Sequence, residues 1–423
     1  MKNLQSKVII LLFIAFLIHP LEAQGLPTAD PGQVGLSDER LDRISKLIQQ
    51  YVDDGKVSGV VTLVARDGKV AYFKSFGKLS RENGRAMPAD AIFRIASMSK
   101  AVTTVAVMTL VEEGKIQLGD RLSRFIPEFK ETTVAVPEGE GDSKQYKVVP
   151  AQREITIRDL LTHTAGISYG SGPAEERYKS ANLQGWYFAD RQEPIGESIK
   201  RLARLPFDAQ PGEKWVYGYN TDILGYVVER VSGMTLAEFF RQRIFEPLKM
   251  VDTHFYLPAQ KVSRFTPVYA VEDDGLRLAE APETSDYVTG PRRSYSGGAG
   301  LLSTTTDYAR FLQMLLNGGE LEGARILSPK SVQLMTVNHV GDKFGNLGFG
   351  LGFRVIEDLG RAGQYGSAGA YGWGGAYYTS FWVDPQERLI FVFMSQLLPS
   401  RGLDLRGKFN SLVYQSILDS YVR

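Results

Sequence analysis

Apolar residues near the start of the chain recur at the spacing of an amphipathic helix. Leu41, Ile44 and Ile48 lie three or four positions apart and share one face of a helix over residues 36–52. Ser37 stands at the beginning of this segment, where a serine hydroxyl can accept a hydrogen bond from a free backbone N–H group. The pattern therefore predicts a capped helix with one buried face.

Two strand-like runs follow this helix. Residues 58–65 and 70–76 are rich in β-branched and aromatic side chains, which favour strands. Asp67-Gly68 between them matches the two-residue turns that join antiparallel strands, because both residue types tolerate positive φ angles. We expect a β-hairpin at this position.

The next helical segment has apolar residues on nearly all of its faces. A helix without a polar face is typical of a protein core, so we expect residues 97–113 to form a buried helix that ends at Gly114. Residues 131–152, by contrast, form a polar stretch with an acidic, glycine-containing run at 138–142. This composition predicts an exposed loop.

The rest of the chain is first helical in pattern and then strand-like. Helical spacing dominates from residue 155 to about 248. The later segments are helices at 307–317 and 406–421 and strands at 349–355, 376–383 and 388–396. Because strands occur at both ends with helices between them, we expect an α+β fold. Its α/β domain would comprise residues 24–115 and 297–423, with a mostly helical domain of residues 116–296 inserted between them.

The first 23 residues have the layout of a secretory signal peptide. Lys2 and Lys7 provide a positive start, residues 8–18 form an apolar run, and Ala23 is a small residue at the end. The alternative is a retained membrane anchor, but this run is much shorter than the ~20 residues that span a bilayer. We predict cleavage after Ala23 and an exported protein, either periplasmic or secreted.

Composition removes several classes of chemistry. The 423 residues include no Cys and only four His. This excludes a thiol nucleophile, a disulfide framework and a Cys-ligated metal, and leaves little material for a multi-His metal site. The formal net charge of +1 lacks the basic excess of a nucleic-acid-binding protein. We predict no metal, no organic cofactor, no nucleic-acid partner and, after signal cleavage, no membrane partner.

Ser97-Met98-Ser99-Lys100 places two reactive side chains at the start of the predicted buried helix. Residues three positions apart share a helix face, so Lys100 is expected beneath the Ser97 hydroxyl. A buried neutral lysine could accept the Ser97 proton, and the free N–H groups of a helix N-terminus stabilise developing negative charge. The alternative is a serine N-cap followed by a surface lysine. The apolar helix behind the pair favours a serine nucleophile.

Three other features invite a functional interpretation. The Gly-x-Ser-x-Gly motif around Ser168 matches a nucleophile elbow, but a helical segment precedes it where an elbow needs a strand. His163 could be a base or a ligand, although a histidine after a helix is more often hydrogen-bonded to nearby backbone. The glycine-rich residues 297–301 lack the Lys-Ser/Thr ending of a phosphate loop and predict a turn.

Four motifs occur in order along nearly the whole mature chain. They are residues 93–100 with Ser97 and Lys100, residues 160–167, residues 211–225 with Tyr217, and residues 372–385, which begin Gly372-Trp373-Gly374-Gly375. With these motifs the chain resembles the serine hydrolases of the β-lactamase and penicillin-binding-protein fold, especially the family VIII carboxylesterases. The resemblance implies an antiparallel sheet flanked by helices, with an inserted helical domain.

The resemblance also implies roles for individual residues. Tyr217 would move protons between the nucleophile and the leaving group, which suits a phenol close to a lysine. The backbone N–H groups of Ser97 and Ala376 would form the oxyanion hole. The implied substrate-binding residues are Trp373, Gly374, Gly375, Tyr219 and Asn220.

Two departures from the β-lactamase pattern bear on the substrate. The chain has Tyr217-Gly218-Tyr219 where those enzymes have Tyr-x-Asn, and Trp373 where they have the lysine of Lys-Thr-Gly. An apolar wall in place of a cation favours neutral esters over anionic antibiotics, and the aromatic residues near Tyr217 suggest a compact apolar cleft. The sequence therefore predicts a serine carboxylesterase that hydrolyses short-chain esters through an acyl-enzyme on Ser97.

Two alternatives remain for this fold. A class C-like β-lactamase, a D-amino-acid peptidase or an amide hydrolase would use the same Ser97, Lys100 and Tyr217. A non-catalytic exported binding or sensor protein would have lost one of these side chains, whereas all three are present. The predicted partner is thus a small-molecule ester or amide.

Overall fold

The computed structural model describes residues 25–138, 145–400 and 402–422. The predicted signal peptide and its cleavage point lie outside the described residues. Within the three described ranges, no helix combines the length and the apolar character that crossing a bilayer requires.

Strands and helices alternate along the described chain. The strands are β1 Gly59–Arg66, β2 Lys69–Ser80, β3 Arg85–Ala86, β4 Phe93–Arg94, β5 Thr133–Pro137, β6 Tyr146–Pro150, β7 Val268–Glu272, β8 Gly275–Glu280, β9 Leu302–Ser303, β10 Glu320–Leu321, β11 Ala324–Arg325, β12 Gly348–Phe349, β13 Arg354–Val355, β14 Tyr371–Gly375, β15 Thr379–Asp384 and β16 Leu389–Met394. The α-helices are α1 Asp38–Asp53, α2 Ser99–Glu112, α3 Ile157–Leu161, α4 Glu175–Ser180, α5 Ile195–Leu202, α6 Asn220–Ser232, α7 Leu236–Phe240, α8 Asp286–Thr289, α9 Thr305–Leu316, α10 Pro329–Met335, α11 Leu359–Ala362 and α12 Leu405–Tyr414.

One eight-stranded sheet lies at the centre of the fold. Its strand order is β12-β13-β14-β15-β16-β1-β2-β3, and neighbouring strands pair antiparallel. The two ends of the chain meet where β1 pairs with β16, with Val61 opposite Met394. The predicted α+β fold with an antiparallel sheet flanked by helices is confirmed.

Helices cover both faces of this sheet. Val61 and Leu63 of β1 belong to the same buried cluster as α2 and α9, whereas Val60 and Val64 belong to the cluster of α1 and α12. Successive residues of a strand point to opposite faces, so the burial of every residue of β1 shows that the sheet is covered on both sides.

The two N-terminal elements form as the sequence predicts. In α1, the Ser37 hydroxyl accepts the Arg40 N–H group at 3.3 Å and caps the helix. Between β1 and β2, Asp67 and Gly68 have φ angles of 54° and 73°, which are the positive values that the predicted hairpin turn needs. Local chemistry is sufficient to specify these elements.

The prediction of an exposed loop over residues 131–152 is wrong for 133–137 and 146–150, whereas residues 139–144 lie outside the described residues. β5 and β6 form an antiparallel hairpin in this region, with Val134 opposite Val149. Each arm contains β-branched residues, which favour strands, but the acidic run between them dominates the composition of the segment. Averaging over the whole stretch therefore hid two short strands.

Two further segments differ in their bounds. The predicted strand at 349–355 is instead the pair β12 and β13, joined by a turn at Gly352 with a φ angle of 81°. The final helix ends at Tyr414 instead of continuing to 421. Short strands at a sheet edge and fraying helix ends leave little periodic signal in a sequence.

Asp307 is a buried carboxyl group at the start of α9. It accepts the Asp252 N–H group at 2.7 Å and the Thr253 hydroxyl at 2.9 Å. Burial raises the pKa of Asp307 to about 7. The folded protein therefore keeps a proton on this group at pH values where the unfolded chain releases it.

We expect this proton to make the protein less stable as pH rises from about 4 to about 7. Asp307→Asn preserves an oxygen for both hydrogen bonds and cannot ionise, so it should remove this part of the pH dependence, at most roughly 4 kcal/mol. Urea unfolding of both proteins at several pH values in this window measures the difference. Identical pH slopes for the two proteins would contradict the assignment.

Candidate active site

Ser97 lies in a single 3₁₀ turn, Ala96–Met98, immediately before α2. The prediction had placed it within the helix itself. Ala96 has a φ angle of 41°, a left-handed conformation that is unfavourable for alanine, and is buried with Val268 and Tyr377. The first N–H groups of a helical turn have no partner within the turn, so the Ser97 N–H group can donate a hydrogen bond to a ligand.

Lys100 lies directly beneath the serine, as the i, i+3 spacing suggests. Its Nζ is 3.1 Å from Ser97 Oγ, 3.1 Å from the Tyr169 hydroxyl and 2.7 Å from the Gly298 carbonyl oxygen, and only 1% of the residue is exposed. A carbonyl oxygen can only accept, so one N–H group is committed to Gly298. A neutral amine that donates its second hydrogen to Tyr169 directs its lone pair at Ser97.

The Gly298 carbonyl is itself held in place by Asp222. The Gly298 N–H group donates to Asp222 Oδ1 at 3.0 Å, and the Ser296 hydroxyl donates to the same oxygen at 2.5 Å. A Cβ on residue 298 would lie 2.3 Å from Asp222 Oδ2, so only glycine fits. The glycine-rich segment predicted to be a simple turn therefore also positions the lysine.

Asp222 is fully buried. Burial raises the pKa of its carboxyl group. Sequence analysis missed Asp222, Gly298 and Tyr169 as contributors to the site. Their contacts with Lys100 or with each other connect parts of the chain that are far apart in sequence, and no local pattern signals them.

Asp222→Ala should lower kcat by about 10- to 100-fold with little change in KM, because it leaves the Gly298 N–H group and the Ser296 hydroxyl without their acceptor. Asp222→Asn keeps an accepting oxygen and should recover most of the lost kcat. Steady-state kinetics of both variants on one ester measures the effect. Equal losses in the two variants would show that the hydrogen bonds to residue 222 do not position Lys100.

The structure separates the two candidate tyrosines. The Tyr217 ring centroid is 4.7 Å from Lys100 Nζ, its hydroxyl accepts the Trp373 indole N–H group at 3.2 Å, and it lines the same cavity as Ser97. Tyr219 is buried, and its hydroxyl contacts the carbonyl oxygens of Leu183, at 2.5 Å, and Gly185. The geometry places Tyr217 at the site and Tyr219 behind it.

The prediction of Tyr219 and Asn220 as substrate-binding residues is not supported by their positions. Asn220 begins α6 and is buried, and its amide N–H groups point to Ile167 O at 3.2 Å and His163 Nδ1 at 2.9 Å. Both side chains turn into the core with the first turn of the helix. They support the wall of the cavity without lining it.

The strand β14 brings the remaining predicted residues to Ser97. Trp373, Gly374, Gly375 and Ala376 all line the cavity that contains the serine. A Cβ on Gly375 would lie 2.3 Å from the carbonyl oxygen of Ile95, so only glycine lets the strand approach the turn before Ser97 so closely.

The cavity around Ser97 has a volume of about 940 Å³. This is larger than the compact apolar cleft that the sequence suggested. Its lining also includes polar side chains that sequence analysis missed, because they follow no recognisable motif: Arg354, Gln364, Tyr365, Arg406 and Asn410. The cavity can therefore hold more than a short apolar ester.

A comparison with known families matches residues 44–413 to the family described as Beta-lactamase. The chain belongs to this family. MT1414, an uncharacterized protein of Mycobacterium tuberculosis, is 34% identical over 385 residues, 86% of this chain and 92% of the relative. Lovastatin esterase of Penicillium rubens is 32% identical over 300 residues, 69% of this chain and 72% of the relative.

A comparison with solved structures finds the same fold. EstCE1, described as a hydrolase with promiscuous acyltransferase activity, matches with a TM-score of 0.76 and 28% sequence identity, over 89% of this chain and 98% of that chain. The protein is a serine hydrolase of the β-lactamase and penicillin-binding-protein fold. The resemblance drawn from the four motifs is confirmed.

Ser168 and His163 occupy structural positions in this member of the β-lactamase family. Ser168 is buried outside the cavity lining, and its hydroxyl accepts the Gly170 N–H group at 3.1 Å. Burial holds the pKa of His163 well below its usual value. The His163 ring bonds the Asn220 amide, whereas the sequence suggested backbone. Nowhere in the described ranges do three His, Asp or Glu side chains form a metal-binding group.

Proposed function

We propose that the protein is a serine carboxylesterase that hydrolyses short-chain esters through an acyl-enzyme on Ser97. The observation that carries this proposal is the 3.1 Å contact between the buried Lys100 Nζ and Oγ of Ser97, which lines the same cavity as Tyr217. The names of two similar proteins, lovastatin esterase and the hydrolase EstCE1, support an ester substrate.

Acylation follows from these positions. The neutral Lys100 amine accepts the Ser97 proton while Oγ forms a bond to the ester carbonyl carbon. The N–H groups of Ser97 and Ala376 donate to the resulting oxyanion. When the intermediate collapses, the bond to the alcohol oxygen breaks, and the Tyr217 phenol donates the proton with which the alcohol leaves. Tyr217 regains a proton from Lys100, which becomes a neutral amine again.

Deacylation reverses these roles with water. The Tyr217 phenol accepts a proton from a water molecule and passes its own proton to the neutral Lys100 amine as the water oxygen bonds to the acyl carbon. The bond between this carbon and Ser97 Oγ then breaks, and the proton returns to the serine. The products are a carboxylic acid and the free Ser97 hydroxyl, so no metal or organic cofactor is required.

The aromatic residues around Tyr217 favour short acyl groups. Trp215 stacks on Tyr217 with ring centroids 5.6 Å apart. The ring centroid of Trp373 also lies 5.6 Å from that of Tyr217. Phe344 and Phe349 pack behind Trp215 at 4.7 and 5.5 Å. Of these rings, Tyr217 and Trp373 line the cavity and present an apolar wall where a β-lactamase would present a lysine to an anionic antibiotic.

A substrate panel on one purified preparation tests this proposal. We expect turnover of p-nitrophenyl acetate and butyrate, and at least about 100-fold lower kcat/KM for nitrocefin and for a peptide ending in D-Ala-D-Ala. The Ser97→Ala protein controls for background hydrolysis of the activated esters. Faster turnover of nitrocefin or the peptide than of both esters would overturn the esterase assignment in favour of an amide hydrolase that uses the same side chains.

A further inference from the structure

A second cavity lies beside the turn that follows α7, away from the active site. Its volume is about 540 Å³, which is within the range of small-molecule binding sites. Its wall includes Arg241, Phe245, Met250, Phe255 and Arg292, and none of the described residues lines both this cavity and that of Ser97. A ligand bound here would therefore not occupy the active site. We call this space the second cavity.

The floor of the second cavity is apolar. Phe245, Met250 and Phe255 line it and are buried. The half-buried ring of Tyr295 continues this floor and packs edge-to-face on Phe255, with ring centroids 5.4 Å apart. Such a floor favours a ligand with an apolar body, because binding removes apolar surface from water.

Charged side chains form the rim of the second cavity, and two of its cations already have acidic partners. Arg241 pairs with Glu246, which also lines the cavity. Lys249 pairs with Glu322 at 2.9 Å. These two ion pairs leave little net charge on this side of the rim.

Arg292 is the rim cation without an acidic partner. Its Nη2 donates to the carbonyl oxygens of Leu257 and Val288, each at 2.9 Å, and no carboxylate pairs with it in the described part of the chain. Burial lowers the pKa of His254, which also lines the cavity, to about 4, so this ring is neutral at pH 7. The second cavity thus presents one uncompensated positive charge.

The backbone around the second cavity is unusual at three points. Arg241–Phe245 form a π-helical turn, a rare arrangement that is frequent at functional sites. Lys249 and Arg292 have φ angles of 54° and 56°, left-handed values that are uncommon for residues other than glycine. Conformations of this kind often occur in segments that bind ligands. Their position around one cavity supports a binding role.

We propose that the second cavity binds a monocarboxylate with an apolar body, whose carboxylate lies at Arg292 and whose apolar body lies on the floor. A carboxylate oxygen accepts a charge-assisted hydrogen bond from a guanidinium, and its single charge matches the one uncompensated cation. A phosphate monoester carries nearly two negative charges at pH 7, and the other two cations of the rim are already paired. The assignment does not depend on the proposed esterase function.

Calorimetric titration with 4-phenylbutyrate and with 4-phenylbutyramide tests the proposal. The two compounds have closely similar shapes and differ in charge. We expect the acid to bind about five- to tenfold more tightly at low salt, and this preference to shrink as salt is added, because Arg292 is exposed. Acetate has the charge without the apolar body and should bind about 100-fold more weakly than 4-phenylbutyrate.

Variants identify the side chain that binds the carboxylate. Arg292→Met should abolish the preference for the acid, and Arg292→Lys should retain part of it because lysine keeps the charge. Arg293→Met is the matched control, since Arg293 is the neighbouring exposed arginine and does not line the second cavity. Arg406→Met tests binding in the active-site cavity, which Arg406 lines, and should leave the preference unchanged.

A methyl spectrum tests the same site without a change at Arg292. In protein with ¹³C-labelled methionine methyl groups, the Met250 signal, assigned with Met250→Leu, should shift on addition of 4-phenylbutyrate. This titration decides the question should Arg292→Met fail to fold. An unshifted Met250 signal, equal affinity for acid and amide, or no binding of either compound overturns the proposal. So does a preference that Arg406→Met removes and Arg292→Met keeps, because the anion would then lie in the active-site cavity.

Discussion

Ser97→Ala should lower kcat/KM for p-nitrophenyl butyrate by about 10⁴-fold, because it removes the atom that forms the acyl-enzyme. The change deletes one hydroxyl on the wall of a cavity, so the free energy of unfolding should change little. Activity measured at several enzyme concentrations, beside thermal unfolding of the same samples, separates loss of chemistry from loss of folded protein.

Ser168→Ala is the matched control for this experiment. Ser168 is the serine of the competing elbow motif, but it is buried outside the cavity and its hydroxyl accepts the Gly170 N–H group. The variant should retain most of the activity. A large loss in Ser168→Ala together with a small loss in Ser97→Ala would reverse the assignment of the nucleophile.

Tyr217→Phe should reduce kcat by about 10³-fold, within the range that a positioned acid or base contributes. The phenol oxygen is the atom that donates a proton to the leaving alcohol, and phenylalanine preserves the ring that packs against Trp215 and Trp373. The loss should be smaller for p-nitrophenyl esters than for alkyl esters, because p-nitrophenolate leaves without needing a proton. Kinetics on both ester types tests this dependence on the leaving group.

Tyr219→Phe provides the comparison that sequence alone could not make. The Tyr219 hydroxyl is buried against the carbonyl oxygens of Leu183 and Gly185, so its removal should lower stability and leave kcat within about threefold of the wild type. If Tyr219→Phe instead lost activity and Tyr217→Phe kept it, the proton-transfer role would belong to residue 219.

Local spacing was sufficient to predict part of the site. Ser97 and Lys100 are three residues apart, so a helical turn alone brings their side chains together. The lack of a side chain at Gly375 permits its close approach to the turn before Ser97. The strand β14 itself was not predicted, because the strand expected at 376–383 is a turn at 376–378 followed by β15. Motif resemblance then linked these segments to Tyr217, which no local rule distinguishes from Tyr219.

Contacts between distant parts of the chain could not be predicted in this way. Lys100 donates to the Gly298 carbonyl oxygen, and the Gly298 N–H group donates to Asp222. These contacts form because α2, α6 and the loop before β9 pack together. Arg354 and Arg406 reach the cavity from β13 and α12, and neither lies in a motif. Such residues become visible only when the fold brings them to one wall.

The central claim is that Ser97 carries the covalent intermediate. Treatment of the purified protein with a fluorophosphonate, followed by proteolysis and mass spectrometry of the peptides, tests it most directly. We predict one stoichiometric adduct on Ser97, loss of esterase activity in proportion to labelling, and no adduct in Ser97→Ala. Labelling of Ser168 or of any other serine in proportion to the loss of activity, with Ser97 unmodified, would contradict the claim.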